Sequence, residues 1–239
     1  VLPDLTRRVR EPEIMDQPGL DAQRHAHALD ALARVNRLSL TAARIWREMK
    51  ALAREGTRPV RVLDVACGDG DVLVDLGRRA RRHGVDVVLT GCDLSPVALA
   101  RGRTRAGGAS VAARFVDADV LRDELPGTHH VTTSSLFLHH LDEPDAAGLL
   151  RRMARAAERL VLVQDLRRSR LGYILAWASL PVLTTSDVAR TDGPISVRAA
   201  FTVDEARSLA RSAGLEGAEV TRCWPERFAI RWARRESIA

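Results

Sequence analysis

Residues 61–71, RVLDVACGDGD, with GCDLS at 91–95, decide the fold of this chain. The apolar run Val60, Val62, Leu63 and Val65 breaks into a turn carrying Gly68 and Gly70, and a helical pattern starts at once. Glycine at a strand-to-helix turn lets backbone N–H groups approach a ligand, because no Cβ stands in the way. A second apolar run, Val85 to Leu89, leads to Asp93. In an open parallel sheet the ends of two such strands bracket one crevice, and an acid on the second can hold a ribose diol. The pair of segments therefore predicts an adenosine-cofactor site.

Working outward, strands are expected near 60–66, 85–92, 111–117, 130–136 and 159–165, with helices near 70–83, 95–106, 143–157 and 203–213. This alternation predicts an α/β fold: a Rossmann-like, doubly wound, mostly parallel sheet. Segments 216–221 and 228–233 add a closing antiparallel hairpin, giving seven strands. Pro96 just inside a helix capped by Ser95 supports that boundary. Upstream, residues 1–57 form an arm broken by Pro3, Pro12, Pro18 and Gly19, then a helical cap from Asp21 to about Arg54. One helix or two, broken near Ser39, fit its apolar stripe equally. The cofactor-binding domain then runs over 58–239, with an apolar insertion at 166–201 that includes LGYILAWASLPVL. That insertion is expected either to pack into the core or to close over a hydrophobic substrate.

The bulk properties narrow the partners. The net charge is +6, but Lys50 is the only lysine among 37 basic residues, and the arginines are interleaved with acids. The densest run, Arg78, Arg79, Arg81 and Arg82, falls at a helix C-terminus, where cations suit the dipole. With 4% aromatic residues there is little for base stacking, so no nucleic-acid partner is expected. Cys67, Cys92 and Cys223 are unevenly spaced, which suits reduced thiols and argues against a disulfide framework or a zinc site. The most apolar uncharged stretch, Leu171 to Ser186, is short and holds Pro181, so no membrane span is expected. The N-terminus lacks the apolar core of a signal peptide. A cytoplasmic location follows as an expectation. Oligomeric state is left open.

A dinucleotide site should show a third glycine in G-x-G-x-x-G, but Leu73 stands there, and Asp69 and Asp71 would crowd a pyrophosphate. S-adenosylmethionine carries no phosphate and presents an ammonium and a sulfonium, which suit the acids Asp64, Asp69 and Asp71. A nicotinamide oxidoreductase is accordingly disfavoured. Here the chain resembles the class I S-adenosylmethionine-dependent methyltransferases, firmly over about 58–165 and more loosely beyond. VLDVACGDG looks like that family's first motif, which implies cofactor contacts at Asp64, Ala66, Gly68 and Gly70. GCDLS looks like the second, implying Asp93 as the ribose acid with Leu94 beside it. FVDADV at 115–120 looks like the third, implying Asp119 on the adenine amino group and Val120 along its edge.

TTSSLFLHHL at 132–141 resembles the fourth-strand segment of small-molecule methyltransferases related to ubiquinone and menaquinone biosynthesis enzymes, which adds Ser135 to the cofactor set. The family often has a Phe-Asp pair entering this strand; His129 and His130 stand there instead. VQDLRRSRLGY, with DGPISVRAAFT later, resembles a bacterial subgroup found beside polyketide-forming enzymes. That resemblance implies O-methylation of a phenolic or lipid-tailed aromatic acceptor, with S-adenosylhomocysteine as the other product.

Methyl transfer is an in-line displacement, so the protein has to position the acceptor and help remove its proton. A phenol of pKa about 10 needs a base, and histidine is the natural one. His140 and His139, after the fourth strand, are the candidate catalytic residues, one toward the acceptor and the other structural. No metal ligand set is read. His25 and His27 are expected on a solvated helix face, while Asn36 and Arg37 are candidates for the cofactor's carboxylate. Asp165 and Arg168 are expected to bind the acceptor or to pair with each other. Tyr173 and Trp177 share a helix face, and Trp224 and Arg198 are further pocket candidates. The competing readings are a quinone-type carbon methyltransferase, an RNA or protein methyltransferase, and a non-catalytic cofactor-binding partner.

Overall fold

A computed structural model describes residues 3–17 and 19–234. Its centre is β1 (Val60–Val65), buried along nearly its whole length, as a parallel strand covered on both faces must be. β1 lies between β2 (Val87–Asp93) and β4 (His129–Ser135), both parallel to it. β3 (Ala113–Asp117) extends one side and β5 (Ala157–Leu166) the other. β7 (Arg227–Ala233) runs antiparallel to β5 and carries β6 (Glu219–Cys223) at the edge. The resulting order, β3-β2-β1-β4-β5-β7-β6, reverses between β1 and β4, which opens a crevice at their carboxyl ends.

Helices cover both faces. α2 (Thr41–Arg54), α3 (Asp71–His83) and α4 (Pro96–Gly108) bury Ile45, Trp46, Met49, Leu73, Leu76 and Leu99 in one cluster with Val60 and Val62. α5 (Glu143–Ala156) and α8 (Val203–Ser212) bury Leu149, Leu150, Met153 and Leu209 in a second with Leu63 and Val163. α2 thus shares its core with the sheet. Local chemistry sets the ends: Ser95 caps α4 with Pro96 in its first turn, and Thr202 with Glu205 forms a capping box on α8.

The cap is two helices, α1 (Ala22–Leu38) and α2, broken at Leu40 with φ 57°. Asp21 caps α1 by accepting from the Gln23 and Arg24 N–H groups. The insertion forms α6 (Arg170–Leu183) and α7 (Asp187–Ala199). They approach closely at Gly193, where any Cβ would strike Leu180. α6 leaves Leu171, Ile174, Leu175, Trp177 and Val182 exposed, so the expected core burial of this stretch is only partial. The arginine run at the end of α3 is an ordinary helix terminus: Arg79 pairs with Asp75, and Arg81 donates to the Ala109 and Ser110 carbonyls.

Candidate functional site

The crevice is a cleft of about 700 Å³ lined by α1 and by Met15, Asp16, Gln17, Gly19 and Leu20 of the arm. Its floor is the turn between β1 and α3. Ala66 and Gly68 have φ of 55° and 54°, and Leu136, across the crevice after β4, has φ 56°. Left-handed backbone at non-glycine residues costs energy and clusters where a site requires a particular turn. The two motif glycines do different work. A Cβ on Gly68 would meet only Leu29 at 3.9 Å, so that position opens to the cleft. A Cβ on Gly70 would press on Phe115 at 2.6 Å, so that glycine is demanded by packing, at φ 68°.

Acids dominate this end. Asp64 is buried, and its Oδ1 has no hydrogen-bond partner among the described residues. Burial pushes its carboxyl well above the usual range, and the charges of Asp71 and Asp93 add to the shift. Burial likewise raises Asp71 to about 6, reinforced by Asp69, although Asn36 Nδ2 donates to it at 3.2 Å. Asp69 also lines the cleft and is held by an ion pair with Arg105. Asp93 accepts the Gly68 N–H at 2.8 Å and the Ser95 N–H at 2.9 Å, one on each oxygen. The Leu94 N–H adds a third backbone hydrogen bond, which leaves one of the carboxylate's four lone pairs for a hydroxyl.

A buried carboxylate without a partner is costly unless a cation meets it. The ammonium of S-adenosylmethionine is such a cation, so the residues fit that cofactor. Asp64 and the turn at Ala66–Gly68 would hold its amino-acid end, Asp93 its ribose, and Leu94 the exposed side. Ser135 also lines the cleft, with a buried Oγ that has no partner among the described residues.

The adenine pair is placed differently. Asp119 follows β3 and is not among the cleft-lining residues; its Oδ1 accepts the Leu121 N–H at 3.0 Å, and Arg122 stands 3.6 Å from Oδ2. Val120 is buried in the core. Of the cap residues, His25 and Asn36 line the cleft, whereas His27 and Arg37 are exposed and do not. His25 therefore departs from the expected solvated face.

At the other end of the cleft the two histidines separate. His139 is buried, with Nδ1 2.6 Å from Asp165 Oδ1 and its own N–H on Asp165 Oδ2. His140 lines the cleft, with Nδ1 3.0 Å from Asp16 Oδ2. Burial opposes charge on His140, but the hydrogen bond to Asp16 and the charges of Glu13, Asp16 and Asp165 prevail and raise the ring to about 9. The expected Asp165–Arg168 pair does not form. Asp165 is taken by His139, while Arg168 binds Glu205 at 2.5 Å and the Ala200 carbonyl. His129 and His130 start β4, where His130 Nδ1 accepts the Arg61 N–H at 3.0 Å.

No residue of 166–201 lines the cleft, so the insertion is neither its wall nor its lid in this structure. It acts through the arm. Asp192 accepts the Ile14 and Met15 N–H groups, Ser196 Oγ donates to Glu13 at 2.7 Å, and Arg198 pairs with Glu11. Arg8 and Arg10 tie the arm to the carbonyls of His139, Leu141 and His140. Tyr173 is half-buried, and Trp177 and Trp224 are exposed; none of the three meets the cleft. Sequence reasoning missed Glu13, Asp16 and the role of Asp192. Their only sequence signal is an acidic arm, which does not say where the arm lands.

Residues 62–159 match a family described as a methyltransferase domain. The chain is 34% identical over 137 residues to a demethylmenaquinone methyltransferase of Deinococcus radiodurans, covering 56% of this chain and 54% of that protein. It is 30% identical over 127 residues to a ubiquinone biosynthesis O-methyltransferase of Pseudomonas aeruginosa, covering 52% and 51%. The chain thus spans about half the length of the curated relatives it matches. Among solved structures, a plantazolicin methyltransferase bound to a desmethyl analogue and S-adenosylhomocysteine superposes with a TM-score of 0.67 at 14% identity, covering 89% of this chain and 91% of that one. Magnesium protoporphyrin IX methyltransferase from Synechocystis PCC 6803, with S-adenosylhomocysteine, gives 0.58 at 14% identity, covering 92% and 91%. Among the described residues, no helix is long and apolar enough to cross a membrane.

Proposed function

We propose that this chain, whose residues 62–159 match a methyltransferase domain, is a class I S-adenosylmethionine-dependent methyltransferase that transfers the methyl group to an oxygen of a small aromatic acceptor. One observation carries the reading: Asp64, whose buried Oδ1 has no partner among the described residues, and the imidazole of His140 line the same cleft. The cofactor supplies an electrophilic methyl on a good leaving group. The chain's own residues hold the donor at Asp64, Gly68 and Asp93 and present His140 to the acceptor. With Nδ1 on Asp16, the Nε2 side of His140 is left for the acceptor oxygen; with the ring raised to about 9, Nε2–H donates to that oxygen at neutral pH and takes its proton only as the pH approaches 9. His139 serves as a positioning residue, since Asp165 fixes it from below. Leu20, Leu29, Leu32, Val97 and Phe137 give the cleft the apolar walls an aromatic acceptor needs.

A carbon acceptor of quinone type is the second reading, favoured by the name of the Deinococcus relative. The two separate by product. Incubation with trideuteromethyl cofactor and a panel of phenols should give an aryl methyl ether, identified by mass and by the methyl carbon shift. A ring-carbon methyl would transfer the conclusion to the second reading, and no product together with no cofactor binding would overturn both.

A further inference from the structure

We propose that Glu13, His139 and His140 form a binding site for one divalent transition-metal ion, of the zinc type, at the acceptor end of the cleft. Their donor atoms lie within 4.8 Å of one another. His139 Nε2 is 3.7 Å and His140 Nδ1 3.9 Å from Glu13 Oε1, both longer than a hydrogen bond, and a bound ion would replace the 3.0 Å contact that His140 Nδ1 makes with Asp16. Ligands of tetrahedral zinc at about 2.0–2.1 Å stand about 3.4 Å apart, so small side-chain movements would close the set.

The surroundings are those of a ligand set. A metal-binding histidine usually gives its other ring nitrogen to a carboxylate, which fixes the ring and raises its donor strength. Asp165 does this for His139 from the end of β5, at 2.6 Å, and its second oxygen is spent on the same residue's N–H. Ser196 Oγ orients Glu13 in the same way. Glu13 and Asp165 are 7% and 1% exposed, so both carboxylates sit where water cannot serve them. The nearby cations are committed elsewhere: Arg8 and Arg10 donate to main-chain carbonyls, and Arg198 pairs with Glu11. No guanidinium bonds Glu13 among the described residues.

The donor set of two imidazoles and a carboxylate suits zinc or cobalt better than magnesium. Three protein ligands leave a fourth position. His140 and Asp16 line the cleft, so Asp16 or a water would supply the fourth ligand. An acceptor hydroxyl at that position would be acidified; this last step rests on the oxygen-transfer reading, whereas the binding of the ion does not. The uneven cysteines gave no hint of it, since the ligands come from residues 13, 139 and 140.

The test uses the full chain stripped with a chelator and titrated with Co2+, followed by visible absorption, and with Zn2+ by calorimetry. One ion per chain is expected, with the ligand-field bands of low-coordinate cobalt. Glu13→Gln and His140→Gln should each weaken binding at least tenfold, and Asp165→Asn by about 10- to 100-fold. Retained S-adenosylhomocysteine binding shows that each variant is folded, and His140→Gln, at the cleft surface, remains available if the buried changes misfold. Absence of stoichiometric binding, or equal binding by Glu13→Gln and His140→Gln, overturns the site. A chain that binds cobalt but forms no aryl ether keeps the site and loses the oxygen-transfer reading. A chain that forms the ether in excess chelator and binds no ion does the reverse.

Discussion

The two ends of the cleft are built by opposite strategies. The donor end comes from one short stretch: Asp64, Ala66, Gly68 and Asp93 lie on two adjacent strands and the turn between them. The acceptor end is assembled from afar. Glu13 meets Ser196, Ile14 meets Asp192, and Arg8 meets His139, with 131 to 183 residues between partners. The donor end is therefore fixed by local backbone geometry, and the acceptor end by whether the arm is seated. The second can change with a few substitutions in the arm or in α7, which is where acceptor choice would diverge.

That contrast can be broken by substitution. The largest effect should come from Gly70→Ala, which sets a Cβ against Phe115 and forces an alanine to φ 68°. Overpacking and left-handed backbone together should cost about 3 kcal/mol, read from denaturant melts. An unchanged melting midpoint would mean that the turn is not the rigid element described. Asp93→Ala should weaken S-adenosylmethionine by about 2 kcal/mol in calorimetry, through loss of the charge-assisted ribose contact. Acceptor affinity should not move.

The acids of the donor end also set a pH dependence. Burial holds Asp71 up at about 6, so its neutral form is favoured in the folded chain. Its contribution to the stability of the cofactor-free fold is present below its ordinary value of 3.8 and lost as pH rises through about 6. Cationic cofactor prefers the ionised form, so affinity should rise about tenfold between pH 5 and 7, opposite in slope to stability. Parallel slopes would remove Asp71 from the site. The smallest effect belongs to the acceptor end. Asp192→Ala removes the acceptor of the Ile14 and Met15 N–H groups and should loosen the arm by about 1 kcal/mol, seen as faster amide exchange there. The acceptor KM should rise while cofactor affinity stays the same.

The same contrast explains what could be read from the sequence. The alternation of apolar runs and glycine turns located every strand and the helices between them, because period and turn chemistry are local signals. The break of the cap at Leu40 was left open, since a polar Ser39 fits a helix or its end. The donor acids were legible because their spacing follows from one βαβ unit. Asp119 matches a motif by sequence, yet its carboxylate is used to cap a turn. The partner of Asp165 was misjudged because Arg168 is three residues away in sequence, while His139 faces it across β4 and β5. Nothing local reports where an arm of 20 residues docks, so Glu13 and Asp16 stayed invisible beside a histidine pair that was plain.

The separation of the two ends is tested most directly by one series of calorimetric titrations with S-adenosylmethionine, on the wild type, Asp93→Ala, Asp64→Asn and His140→Gln. The account predicts that the two aspartate variants lose about tenfold or more in affinity while His140→Gln binds as the wild type does. A His140→Gln variant that loses as much as Asp93→Ala, or an Asp64→Asn variant that loses nothing, would contradict it.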